Sequence, residues 1–222
     1  MEWSIDHVFL ATAAPDAAER ELAAFGFVFS DRRVHRGQGT ANAVARFENA
    51  YFELLHAVEL AELRSPLVAP LSLDERIRWR ETGACPFGVC LRRESGASAE
   101  APLVSTWNYV PAYRDATRPI GIVTPRAHAW EPLLFVDVRP RDDATKARPS
   151  EPQRGARRTL TAVRIDLPRS GHDRSAGLRQ FDGIAGFSLR EGSSPLLELE
   201  WDHGREGQAH RFGAELPLVV RW

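Results

Sequence analysis

The stretch "WSIDHVFLAT" (3–12), with apolar side chains on both of its faces, predicts a strand. Ile5, His7 and Phe9 share one face of it, and Val8 and Leu10 share the other. The spacing then changes. In "APDAAERELAAFGF", Ala18, Leu22 and Phe25 recur at helical intervals. Pro15 stands near the start, Asp16 and Glu19 lie in the first turn, and Gly26 is a plausible stop. "FVFS" (27–30) predicts a short second strand, and the polar stretch "DRRVHRGQGT" predicts a loop. "ANAVARF" (41–47), a turn at "EN" and "AYFELLHAV" complete the pattern as a hairpin.

In the last strand of that hairpin Tyr51, Glu53 and Leu55 share one face, with Phe52 and Leu54 opposite. An ionised carboxylate in such a strand is costly unless something pairs with it. The Val8/Leu10 and Phe52/Leu54 faces suit the Leu22/Phe25 stripe, which leaves His7 and Glu53 together on the opposite, concave face. Each is a misplaced polar group alone, and each accounts for the other if they are neighbours.

The strand–helix–three-strand order returns further on. "TLTAVRIDLP" (159–168), a helix ending near Gly183, the hairpin "GFSLREG" and "SPLLELEWD", and the closing "ELPLVVRW" form a C-terminal unit over 159–222. The middle is less regular. "SLDERIRWRETG" (72–83) predicts an amphipathic helix with a capping box from Ser72 and Glu75. "CPFGVCLRR", "VSTWNYVPAYRD" and "EPLLFVDVRP" predict strands without a helix between them. The charged, Pro-rich 141–158 segment predicts an exposed linker. The organisation is thus a first unit (3–58), a degenerate second unit (72–140) within one domain of 1–140, the linker and the C-terminal unit.

A formal net charge of -1 argues against nucleic acid as a partner. No apolar run reaches the roughly 18 residues of a membrane span, and the N-terminus lacks a basic signal region. Lys146 is the only lysine, so the positive charge is arginine, suited to holding carboxylates at Arg92, Arg114, Arg118 or Arg139. Cys85 and Cys90 are too far apart along one strand to bridge, which fits a reducing cytoplasm. Motifs of the common hydrolases, calcium sites and phosphate loops are absent.

The βαβββ order with "DHV" in its first strand and "ELL" in its fourth resembles the vicinal oxygen chelate superfamily. "GQGTANAVARFENAYFELL" resembles its glyoxalase-like domain family. The resemblance implies an α+β fold of paired βαβββ units curled into a cup. It also implies a divalent metal (Zn, Mn, Fe or Ni) bound by His7 and Glu53, with Asp137 as a third ligand and Cys90 as a remoter candidate. Gly88 then falls where a second histidine would stand, and the C-terminal unit, with Ala162 and "PLVV" at the matching positions, keeps no ligand. Glu53 doubles as proton shuttle, and Asn42, Trp107 and Tyr109 line the substrate's place. The implied activity is that of a lyase, isomerase or dioxygenase on a small oxygenated molecule. The alternative is a metal-free binding protein in which His7 and Glu53 pair directly. Either a homodimer completes the cup or the third unit closes it.

Overall fold

The computed structural model describes residues 3–94, 106–117, 119–137, 158–168, 174–181, 183–213 and 215–222. The side chains of Arg93 and Asp137, and most of the expected 141–158 linker, lie outside the described residues. Strands β1 (Trp3–Ala11), β2 (Arg33–His35), β3 (Thr40–Arg46) and β4 (Tyr51–Ala57) join β5 (Phe87–Arg93), β6 (Trp107–Tyr109), β7 (Ile120–Ile122) and β8 (Leu133–Asp137) in one sheet. The order is β2-β3-β4-β1-β5-β8-β7-β6. The fold is therefore α+β, a curled eight-stranded sheet with β1 near its middle. β1 runs parallel to β4 and antiparallel to β5.

From His7 onward the two faces of β1, like those of β4, separate as their alternation predicts, whereas Ile5, expected beside His7, packs against the core because the register shifts between them. Val8, Leu10, Phe52 and Leu54 enter a core that also holds Ala18 and Leu22 of α1 (Pro15–Phe25). A buried Leu or Phe of this kind contributes about 1.5–3 kcal/mol. The same core continues into a second sheet of β9 (Leu160–Pro168), β10 (Phe187–Gly192), β11 (Leu196–Trp201), β12 (Ala209–Arg211) and β13 (Leu218–Arg221), ordered β10-β9-β11-β13-β12. Helix α5 (Ala176–Phe181) adds Leu178 and Phe181. The C-terminal sheet thus covers the convex face of the large one and leaves the concave face to the cup. Its connectivity departs from that of the first unit: β9 lies between β10 and β11, whereas β1 lies beside β4, the last strand of its unit.

Polar clamps fix the two layers. The turn residue Asn49 exchanges two hydrogen bonds with the Leu160 backbone, at 2.8 and 2.9 Å. At another point of contact Ser175 donates to both oxygens of buried Glu131, from its N–H at 2.7 Å and its hydroxyl at 2.6 Å, while its Oγ accepts from Leu178 N–H in α5.

Three expectations need correction. Residues 27–30 contribute only an isolated bridge from Phe29 to Ala45, and the second strand forms later, at Arg33–His35. Phe27 is instead buried among Phe52, Phe47 and Trp201, so its packing outweighs its strand propensity. The 72–83 helix is broken into α3 (Leu73–Ile77) and α4 (Trp79–Thr82), after a short α2 (Leu60–Leu63). Ser72 adopts left-handed geometry (φ 54°) at the end of a 3₁₀ turn and makes no side-chain cap, so the capping box does not form.

The reason for this tight, broken helix is Arg76. It is 1% exposed and donates to the carbonyls of Leu71 (3.1 Å), Cys85 (2.9 Å), Ala129 (3.2 Å), Glu131 (2.6 Å) and His128 (3.3 Å). Burial pulls its guanidinium down to about 10, still charged at neutral pH. One side chain thereby satisfies carbonyls from three loops. Arg76→Met should cost about 3–5 kcal/mol, because buried carbonyls lose their donors. Thermal unfolding checks this, and a melting temperature equal to the parent's would show that the pin is dispensable.

Candidate functional site

The concave face encloses a cavity of about 530 Å³. Its walls are built in cross-strand rows. In the first row Tyr51 of β4, His7 of β1, Cys90 of β5 and Phe135 of β8 are register partners in turn. In the next row Glu53, Phe9, Gly88 and Leu133 follow one another across the same strands. All of these except Gly88 line the cavity, together with Asn42 and Leu55. Leu71 and Leu73 close one side from the 3₁₀ turn and α3.

His7 is 8% exposed and tightly framed. Its ring stacks on Tyr51 with centroids 4.4 Å apart and meets Phe135 edge-on at 5.3 Å. Its Nδ1 is hydrogen-bonded to Asp6 Oδ2 at 2.8 Å, and Arg92 donates to the other Asp6 oxygen at 3.3 Å. Neighbouring residues of a strand ordinarily point to opposite faces. Here the register slips between Ile5, opposite Leu91, and His7, opposite Cys90, so Asp6 is the extra residue of a bulge. That bulge brings the Asp6 carboxylate to the His7 ring. The donor atoms of Asp6, His7 and Cys90 all lie within 4.8 Å of one another.

The electrostatics follow from this crowding. Burial opposes charge on His7, but Cys90, Glu53 and the Asp6 hydrogen bond together raise it well above the ordinary histidine value. Burial likewise opposes ionisation of Asp6, yet His7 and Arg92 outweigh it and hold the carboxyl at about 2. Burial also raises the Tyr51 hydroxyl, reinforced by Glu53 and Asp6, so it stays protonated.

The sequence-derived residues fare unevenly. Glu53 and Asn42 face the cavity, and Asn42 is 4% exposed with a buried, unpartnered Oδ1. Tyr109 lines the wall. Trp107 does not: its Nε1 donates to the Thr124 carbonyl at 3.0 Å, and Arg126 covers its ring. The direct His7–Glu53 hydrogen bond is replaced by the one from Asp6, and Glu53 is not among the three clustered donors. The side chain of Asp137 lies outside the described residues, as do Arg118 and Arg139. Gly88 is not the partner of His7. A Cβ there would meet the Phe9 ring at 2.0 Å, so Phe9 fills that space and Cys90 stands opposite His7. Asp6 is the residue that strand alternation hid, and only the bulge reveals it.

A clasp joins the outer edges of the sheet, β2 and β6. Gln38 Oε1 accepts from the hydroxyls of Tyr109 (2.9 Å) and Tyr113 (3.4 Å), and Gln38 Nε2 donates to Thr40 Oγ1 (2.8 Å). His35 Nδ1 is bonded to the same Thr40 oxygen at 3.0 Å, and its ring stacks on Tyr113 at 4.8 Å. Gly37, at φ +79°, lets the turn press on Ala112, where a Cβ would stand 2.5 Å from the Ala112 methyl.

The fold and site define a vicinal oxygen chelate protein, a cup whose concave wall gathers imidazole and other donors from its central strands. Residues 5–137 match the family model described as a glyoxalase-like domain, and the chain belongs to that family. Along its whole length the chain is similar to a hypothetical protein from Staphylococcus aureus, at 11% identity and a TM-score of 0.62, covering 100% of this chain and 98% of that one. Methylmalonyl-CoA epimerase from Mycobacterium tuberculosis is a looser likeness, at 19% identity and a TM-score of 0.38 over 64% of this chain and 91% of that one. A mutant of 4-hydroxymandelate synthase from Streptomyces coelicolor is another, at 14% and 0.40 over 99% and 62%. No curated protein matches the chain. No described helix is long and apolar enough to cross a membrane.

The clasp gives a pH prediction. Burial, helped by Arg33 and Arg114, pulls His35 down to about 4. Below its ordinary value of 6.5 the unfolded chain takes up a proton that the folded chain refuses. Stability is therefore full above that value and falls as pH drops toward about 4, by roughly 3 kcal/mol at most. His35→Phe, which keeps a ring against Tyr113, should lose less melting temperature than the parent between neutral and mildly acidic pH. Equal losses would show that His35 does not control this window.

Proposed function

We propose that the chain is a glyoxalase-like enzyme that moves a proton beside a carbonyl in a small oxygenated molecule, with a divalent metal at His7. This places it with lyases and isomerases rather than dioxygenases. The observation that supports the reading is that His7 and Cys90 line a cavity that also presents Glu53, with Asp6 behind His7 completing a close cluster of donor atoms. Ligands around a four-coordinate ion at about 2.0–2.3 Å lie close to one another, so donors within 4.8 Å suit a single ion. Zn, Mn, Fe and Ni all accept imidazole and carboxylate donors.

His7 would hold the metal through Nε2, the ring nitrogen that Asp6 does not engage. When bound, the ion supplies Lewis acidity that polarises a carbonyl oxygen. Glu53, half-buried and one row away across from Phe9, accepts the proton from the adjacent carbon and returns it. Phe9, Leu55, Leu71, Leu73 and Leu133 hold the carbon skeleton and thin the water around it. Asn42 supplies an amide to a polar substituent, and Tyr109 a ring wall. Residues 3–137 carry this activity, and 159–222 serve as the cover of the convex face. Cys85 and Cys90, neither of them in a disulfide, fit a cytoplasmic setting, as a monomer or homodimer, with no nucleic-acid or membrane partner.

A second reading has its own support. Tyr51 and Phe135, which flank His7 and Cys90 in the row, are aromatic and offer a flat ligand stacking surfaces in a metal-free binding protein.

Metal analysis separates the two. The enzyme reading expects about one divalent ion per chain after incubation and desalting, lost in His7→Ala and retained in Glu53→Gln. The Glu53 variant should also lose exchange of substrate carbon-bound hydrogen with solvent, by about 10²–10⁴-fold if Glu53 is the general base. A parent chain that retains no ion under any loading condition would favour the binding protein.

A further inference from the structure

We propose that Cys90 is a direct ligand, so that the cup selects thiophilic ions, Zn²⁺ foremost, over Mn²⁺ and Mg²⁺. This rests on the metal reading above and sharpens it. Cys90 is the antiparallel register partner of His7, and such partners carry their Cβ atoms about 4.5–5.5 Å apart on one face. Both side chains line the cavity, and their donor atoms belong to the one close cluster among the described residues. The neighbouring positions of the row, Tyr51 and Phe135, present rings rather than carboxylates or imidazoles. Sulfur and nitrogen therefore outweigh oxygen in the donor set, and a soft thiolate favours zinc-like ions over hard, oxygen-seeking ones.

Asp6 has a different part. It occupies His7 Nδ1 and is itself held by Arg92, which fixes the ring and leaves Nε2 for the ion. It is a positioning residue, the carboxylate behind a ligating histidine. On binding, the Cys90 thiol gives its proton to solvent and a sulfur lone pair forms the bond to the ion. Cys85, the other cysteine, does not line the cavity and serves as the internal control.

The test is optical titration of the metal-stripped full chain with Co²⁺. A near-ultraviolet sulfur-to-cobalt charge-transfer band should develop, persist in Cys85→Ser and vanish in Cys90→Ser. Zn²⁺ should abolish the band in the parent, whereas equal Mn²⁺ or Mg²⁺ should leave it, a readout that needs no variant to fold. Asp6→Asn should keep the band and bind Zn²⁺ about 10–100-fold more weakly. Co²⁺ that binds in a His7-dependent manner without the band would overturn the thiolate ligand and leave the metal reading standing. No Co²⁺ binding by the parent would overturn both.

Discussion

The pairing of β1 with strands on both sides is the constraint on which the site depends. One register sets His7 against Tyr51, and the other sets it against Cys90. Because side chains alternate with period two, a slip of one residue in either ladder would turn His7 into the core and bring Val8 into the cup. The bulge at Asp6 is the one departure from regular pairing along this strand, and it sits where a carboxylate must turn to reach the imidazole. Hydrophobic patterning and site geometry are thus the same fact seen from two faces. Burying Val8 and Leu10 against α1 and the second sheet is what holds His7 and Phe9 in the cavity.

Polar locks keep that sheet from relaxing. Arg76 gathers the carbonyls of three loops, Asn49 ties the β3–β4 turn to β9, and Ser175, held by Glu131, caps α5. Buried polar groups of this kind are costly when half satisfied and stiffening when fully satisfied. The Gln38–Tyr109 clasp differs, because it joins the turn after β2 to β6 along the wall of the cavity.

Much of this was legible in the residues. Alternation in "IDHVFL" and "YFELL" placed His7 and Glu53 on the concave face, and the helix stripe identified the opposite face as core. The family and cup-shaped fold followed from the same stretches. Illegible features share a physical cause: each depends on tertiary contacts that override a local rule. Ser72 reads as a cap until Arg76 pulls the chain into a 3₁₀ turn, and "FVFS" reads as a strand until Phe27 is taken by an aromatic cluster. Period-two counting sets Asp6 on the side away from His7 and has no place for the bulge that turns its carboxylate to the imidazole. Gly88 reads as a lost ligand, yet it is small because the Phe9 ring occupies its side-chain space, and only the observed register shows Cys90 opposite His7.

The central claim, that β1 and β5 assemble one metal-ready site, is tested most directly by anomalous diffraction from crystals of the zinc-loaded protein. One peak in the cup, about 2.0–2.1 Å from His7 Nε2 and about 2.3 Å from Cys90 Sγ, is the expected result. A cup without anomalous density, with His7 bonded to Asp6 alone, would contradict it.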